Sequence, residues 1–125
     1  MIEGVQKLVV EVEDQDRALR FWTETLDFEV AQDVRYDGDR WLEVRTPDRQ
    51  ATLVLALRDG EPPTAPDALP TSSIFFYCDD VRRTYEELRD RGVEFPQPPV
   101  EQSFGWWSMF QDNEGNRFAL QPRDD

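Results

Sequence analysis

The chain has few side chains that can do covalent chemistry, and this shortage limits what it can do. Histidine is absent from all 125 residues, so no imidazole can activate a serine or a cysteine or carry protons. The sole cysteine, Cys78, alternates with apolar residues, which favours an inert buried thiol over a nucleophile. Glu11 and Tyr77 could act as a general base and a hydrogen-bonding electrophile, but a solvated carboxylate and a pocket wall are favoured.

Aromatic residues are stronger candidates for a binding site. Trp106 and Trp107 are adjacent in a predicted strand, so their rings point to opposite faces and at most one of them belongs to the core. An apolar pocket with a few polar groups is typical of a small-molecule site, although the rings could also pack a dimer interface or stiffen the sheet. We expect the contacting rings to be Trp41, Trp106 or Trp107, Phe75, Tyr77 and Phe110.

Charge argues against one class of partner. The 27 acidic residues outnumber the 14 basic ones, which gives a net charge of −13 and leaves no basic surface for nucleic acid. The acids are spread along the chain, so a solubilising surface is favoured over attraction of a cationic ligand. The N-terminus has no apolar signal core, and no apolar stretch approaches membrane-spanning length. We therefore expect a soluble cytoplasmic protein with no membrane partner.

Two halves of the chain repeat each other. Residues 7–14 and 73–80 share their apolar spacing at an offset of 66, and each segment ends at an aspartate, Asp14 or Asp80, that is suited to cap a helix. From the end of the helix the matching offset becomes 65, which makes Trp41 and Trp106 equivalent positions of the two repeats. The pattern predicts an α+β fold of two tandem βαβββ modules within a single 1–125 domain.

The predicted elements of the two modules are as follows. Module 1 covers about 5–58, with a helix over 15–26 and strands at 28–35, 40–46 and 52–58 after the first strand. Module 2 covers about 72–122, with a helix over 81–91 and strands at 93–98, 106–111 and 117–122. The segment 59–71 is rich in proline and reads as a linker.

Alternation within the strands assigns their faces. One side of each strand is apolar and should pack under the helices, as with Val10, Val12, Phe118 and Leu120. The opposite sides are mixed and should line a curved, cup-like surface, where we place Lys7, Glu11, Val54, Phe75, Tyr77, Ser73 and Ala119. Lys7 could bind an anionic ligand, but pairing with a neighbouring carboxylate such as Glu11 is favoured.

Three segments carry a resemblance to a known family. They are residues 12–22 with 26–28, residues 79–95, and residues 110–116. In this order, and with the internal repeat, they resemble the vicinal oxygen chelate superfamily, which includes glyoxalase I, extradiol dioxygenases, fosfomycin resistance enzymes and bleomycin-binding proteins. The resemblance covers residues 5–122, with Asp27 where the family prefers glycine and Asn113 where it prefers proline.

Metal-dependent members of that superfamily hold their ion with histidine and glutamate from both modules. Carried over by position, the ligands fall at Lys7, Val54, Ser73 and Ala119, and none of these is a donor for a transition metal. The resemblance therefore predicts no metal, no cofactor and no metal-dependent reaction.

The residues and the resemblance together favour a binding protein over an enzyme. The leading interpretation is a metal-independent protein, similar to the non-catalytic members, that sequesters an aromatic or cationic antibiotic or another toxic metabolite as a homodimer. One alternative is a glyoxalase- or dioxygenase-like enzyme with relocated catalytic residues. The second alternative is a protein-interaction module whose tryptophans contact a partner.

Overall fold

The computed structural model describes residues 1–58, 72 and 74–123. The chain divides into two compact units, Met1–Glu61 and Pro62–Asp125, which we call module 1 and module 2. The predicted linker and Ser73 lie outside the described residues. In the described part of the chain, no helix is long and apolar enough to cross a membrane.

Module 1 is a four-stranded sheet with one helical segment. Its strands follow the order β1-β4-β3-β2, with β1 parallel to β4 and the other neighbours antiparallel. The helix is α-helical for its first part and continues as a π-helical turn, so the predicted helix over 15–26 has the right place but changes its winding. The elements are β1 Lys7–Val12, α1 Gln15–Arg20, the π-helical turn Phe21–Thr25, β2 Glu29–Tyr36, β3 Asp39–Arg45 and β4 Thr52–Leu57.

Module 2 repeats this topology. Its sheet follows the order β5-β8-β7-β6, again with the first strand parallel to the last. The elements are β5 Phe75–Cys78, α2 Val81–Asp90, β6 Glu94–Gln102, β7 Gly105–Gln111 and β8 Arg117–Pro122. The α+β fold of two tandem βαβββ modules is thus confirmed.

Both helices start as their sequences predict. The carboxylates of Asp14 and Asp80 accept hydrogen bonds from the backbone N–H groups three residues on, at 3.0 and 3.1 Å. Helix α2 is followed by Gly92, whose φ of 93° satisfies the left-handed position after a helix. Asp27 takes the corresponding left-handed turn after the first helical segment, with φ at 64°, so aspartate serves there in place of glycine.

Apolar side chains between helix and sheet form the core of each module. In module 1, Trp22 is fully buried with Leu42, Leu53 and Leu55. In module 2, the rings of Phe76, Phe95, Phe110 and Phe118 form a cluster with centroid separations of 5.4 to 6.2 Å. Among them, Leu53, Leu55, Phe76 and Phe118 lie on the strand faces that alternation assigns to the helices.

Strand β6 is an edge strand that contains Pro96, Pro98 and Pro99. Proline has no N–H to give to a sheet, so it is tolerated only at an edge or a bulge. The pairing of β6 with β7 accordingly shifts twice, between Glu94 and Gln97 and between Gln97 and Val100. Strand β6 extends to Gln102, beyond the predicted end at 98.

The modules differ by one residue in one hairpin, and this changes which tryptophans are equivalent. Six residues, 46–51, connect β3 to β4, whereas five residues, 112–116, connect β7 to β8. Glu43 pairs with Val54 and Met109 pairs with Ala119, so β3 matches β7 at an offset of 66 while β4 matches β8 at 65. Trp41 is therefore equivalent to Trp107, and the predicted match with Trp106 is wrong.

The shorter hairpin depends on the side chain of Asp112, which is 4% exposed. Its carboxylate accepts hydrogen bonds from the backbone N–H groups of Glu114 and Asn116 and from the Asn116 amide, each at 2.9 Å. We expect Asp112→Ala to lower the free energy of unfolding by about 2 kcal/mol, because it leaves buried donors without their charged acceptor. Urea denaturation measures the loss, and Asp112→Asn, which keeps one acceptor oxygen, should lose less. An unchanged midpoint for Asp112→Ala would contradict this role.

Candidate functional site

Each sheet has a face turned away from its own helix, which we call the helix-free face. In module 1 the strand register places Lys7, Val9 and Glu11 of β1 on this face, beside Thr52, Val54 and Ala56 of β4. The same register brings Trp41, Glu43 and Arg45 of β3 to it. Val9 is 61% exposed and Val34, the cross-strand partner of Trp41, is 48% exposed, so part of this face is apolar and accessible.

A buried charge lies at the centre of this face. Glu43 is 3% exposed, and its Oε2 atom accepts hydrogen bonds from Lys7 Nζ and from Trp41 Nε1, both at 2.5 Å. The ammonium of Lys7 also lies 5.7 Å from the centroid of the Trp41 ring. Because β1 and β3 flank β4, the ion pair passes across the strand that carries Val54. We call these three residues the Lys7–Glu43–Trp41 cluster.

The cluster keeps Glu43 ionised. Burial by itself would raise the pKa of the Glu43 carboxyl, but the hydrogen bonds from Lys7 and Trp41 outweigh it and hold the pKa below its usual value. The charge of Arg45 acts in the same direction. Lys7 was expected to prefer a carboxylate such as Glu11, and it does pair with a carboxylate, but the partner is Glu43. A glutamate that already accepts from two donors is not poised to take a proton from a substrate.

The positions that the family resemblance assigns to metal ligands do not fit a metal. The ammonium of Lys7 is held in the ion pair, Val54 is 4% exposed, and Ala119 is fully buried, so none of the three offers a donor atom. Among residues 1–58, 72 and 74–123, no group of three histidine, cysteine, aspartate or glutamate side chains is placed to hold an ion.

The helix-free face of module 2 is aromatic. Phe75 and Tyr77 of β5 are 51% and 45% exposed. The register places Trp107 and Met109 of β7 on the same face, beyond Ala119 of β8. The guanidinium of Arg123 lies 4.5 Å from the centroid of the Tyr77 ring. An open cleft of about 320 Å³ is lined by Phe104, Gln121, Pro122 and Arg123. The register places Gln121 on the helix-free face and Pro122 on the opposite one.

Two of the expected contact residues lie on the opposite, helix-facing side. Phe110 is 3% exposed within the phenylalanine cluster. Trp106 is half-buried, and the guanidinium of Arg82 from α2 lies 4.5 Å from its ring centroid. The reason is register, since Phe110 pairs with Phe118, whose side chain faces α2. Of the adjacent tryptophans, Trp107 is thus the one on the helix-free face.

The structure groups the other candidates by module. Lys7, Trp41, Glu11 and Val54 share the helix-free face of module 1, although Val54 is buried there. Phe75, Tyr77, Trp107 and the buried Ala119 share that of module 2.

Cys78 is partly buried, and this burial raises the pKa of its thiol, as expected for an unreactive cysteine. Sequence reasoning missed Glu43 and Arg123. The alternation of Trp41, Glu43 and Arg45 was the available signal for Glu43.

Comparisons with known proteins agree on one superfamily and on the fold described above. The family model of the Glyoxalase/Bleomycin resistance protein/Dioxygenase superfamily matches residues 4–120. The uncharacterized protein YetH of Bacillus subtilis is 35% identical over 124 residues, which cover 96% of this chain and 98% of YetH. A superfamily member from Sphaerobacter thermophilus has a crystal structure with a TM-score of 0.83 at 31% identity, covering 96% of this chain and 98% of that one. TnmS3, an antibiotic-binding protein from Streptomyces sp. CB03234, has a TM-score of 0.78 at 33% identity, covering 98% of both chains.

Proposed function

The chain belongs to the Glyoxalase/Bleomycin resistance protein/Dioxygenase superfamily, and from that premise we propose that it binds a small aromatic molecule without a metal and without chemical turnover. The ligand class we propose is an antibiotic or another toxic metabolite, which the protein sequesters. We further propose that it acts in the cytoplasm as a homodimer.

The observation that carries the proposal is the exposure of aromatic side chains on the helix-free faces. Phe75 and Tyr77 leave about half of their surface accessible on a strand, where a soluble protein usually places polar residues. Such rings bury a large area when they stack on a flat ligand. The likeness to an antibiotic-binding protein over nearly the whole of both chains supports the same ligand class.

The polar groups of these faces suit recognition better than catalysis. In module 2, Gln121 and Arg123 line the cleft and can donate hydrogen bonds to a bound molecule. In module 1, the carboxylate of Glu43 is already neutralised by Lys7. Binding by rings and a few polar groups fixes the position of a ligand, and the result is capture.

Tryptophan fluorescence and calorimetry against a panel of planar aromatic antibiotics test the proposal. We expect Trp41→Leu and Trp107→Leu each to weaken binding about tenfold, because each removes a ring available for stacking. Trp106→Leu is the matched control: it removes the adjacent ring on the helix side and should leave the affinity of the folded protein unchanged.

Two results would overturn the proposal. The first is the absence of a signal with every compound of a broad panel. The second is one transition metal per chain in freshly purified protein, measured by elemental analysis, because the positions described above supply no ligands for one.

A further inference from the structure

We propose that Lys7 is a specificity-determining residue that selects aromatic ligands carrying an acidic or hydrogen-bond-accepting oxygen, such as a carboxylate, a phenol or a quinone. This inference rests on the proposed function. It concerns the helix-free face of module 1 alone, and it predicts a preference opposite to the one that the net charge of −13 suggests.

Within the Lys7–Glu43–Trp41 cluster, the cationic side chain is more accessible to a ligand than the anionic one. The Glu43 side chain is 4% exposed and the Lys7 side chain is 32% exposed. A cationic ligand cannot reach the buried carboxylate without displacing Lys7. The ammonium carries three N–H groups and gives one of them to Glu43, so it can still donate to a ligand.

The indole of Trp41 presents only its apolar ring to a ligand. Its N–H donates to Glu43, so it offers a ligand its ring and no polar group. Lys7 Nζ lies 5.7 Å from the centroid of this ring, close enough that a flat molecule stacked at Trp41 can bring a substituent to the ammonium. The exposed Val9 and Val34 share this face and extend the apolar surface. The face thus combines an apolar surface with one accessible donor.

The local charge favours an acceptor as well. Lys7 pairs with Glu43, while Arg45 and Arg49 both pair with Glu29. The charges of Lys7 and Glu43 cancel, and the charge of Arg45 acts on the Glu43 carboxyl, so Arg45 is the cation next to the pair. Glu11 is four residues from Lys7 along β1, about 13 Å in an extended strand. Charges farther than about 8 to 10 Å are largely screened at physiological salt, so acids whose carboxylates lie beyond that distance act weakly on a ligand at Lys7.

Fluorescence anisotropy with three matched probes tests the inference: anthracene-9-carboxylate, 9-anthracenemethanol and 9-anthracenemethylammonium. We expect the carboxylate to bind about tenfold more tightly than the alcohol, and the ammonium to bind most weakly. The double variant Lys7→Met with Glu43→Gln should abolish the preference without leaving a buried charge. Glu43→Gln alone keeps Lys7 and should retain the preference. The double variant leaves the net charge unchanged, whereas Arg17→Met lowers it by one on the helix side, where Arg17 is largely exposed, and should have no effect.

The outcomes separate the inference from the proposed function. Binding of all three probes with equal affinity, or tightest binding of the ammonium, would overturn the inference and leave aromatic capture standing. A carboxylate preference that persists in the double variant would also overturn it, because another group would then be responsible. If none of the probes and no antibiotic of the panel binds, the proposed function fails and the inference fails with it.

Discussion

Lys7→Met should lower the free energy of unfolding by about 3 kcal/mol at pH 7, one of the two largest effects we expect from a single substitution. The variant leaves the Glu43 carboxylate buried with the Trp41 indole as its remaining hydrogen-bond donor, and an uncompensated buried charge is strongly destabilising. Urea denaturation followed by circular dichroism measures the change.

The pH dependence of this effect has a definite sign. In the wild type the pKa of Glu43 is lowered, so its contribution to stability is present above the unfolded value of about 4.3 and is lost as the pH falls through the folded value. In Lys7→Met, burial is opposed only by the Trp41 hydrogen bond and the charge of Arg45, so the pKa of Glu43 should rise. Protonation then relieves the buried charge, so the deficit of the variant should shrink between pH 7 and pH 5.

A double-mutant cycle isolates the pair. Adding Glu43→Gln to Lys7→Met removes the buried charge, so the double variant should be more stable than Lys7→Met alone at pH 7. A deficit that is the same at both pH values, or a double variant no more stable than the single one, would contradict the role of Lys7 as the partner that keeps Glu43 charged.

Phe110→Ala should cost about 4 kcal/mol, because Phe110 lies within the phenylalanine cluster of module 2 and its loss leaves a cavity among packed rings. Phe75→Ala removes the same ring from an exposed position and should change stability by less than about 1 kcal/mol.

The two substitutions should differ in their effect on binding. Phe75→Ala is expected to weaken the binding of an aromatic ligand, whereas Phe110→Ala, measured below its melting temperature, should bind normally. Thermal denaturation and calorimetry on both variants check this. Weakened binding in the folded Phe110→Ala protein would return Phe110 to the contact residues.

Much of the fold could be predicted because its signals are local. The aspartates before the helices and the period-two apolar spacing depend on residues close in the chain, and the internal repeat is a comparison of two such local patterns. All three correspond to the structure. The end of α1 differs because the sequence does not distinguish an α-helical from a π-helical last turn over Phe21–Thr25.

The candidate site was harder to predict from the sequence because it depends on the register of the strands. A shift of one residue moves a side chain to the other face of a sheet. The six-residue hairpin of module 1 and the five-residue hairpin of module 2 therefore decide that Trp107, and not Trp106, matches Trp41. Counting outward from Asn113 and Gly115 in the shorter hairpin would have paired Phe110 with Phe118 and placed it in the core. The contact of Lys7 with Glu43 could not be found this way, because it joins strands separated by β4.

The prolines of β6 bear on how the protein can stay unaggregated at the concentration that the proposed sequestration would need. A binder that does not turn over its ligand must be present in amounts comparable to that ligand. At such concentrations a protein must avoid aggregating with its own copies. An unpaired strand edge is a template for growth of a sheet from one molecule to the next. Pro96, Pro98 and Pro99 have no backbone N–H to offer such a template, so growth of the sheet from the β6 edge of module 2 is disfavoured.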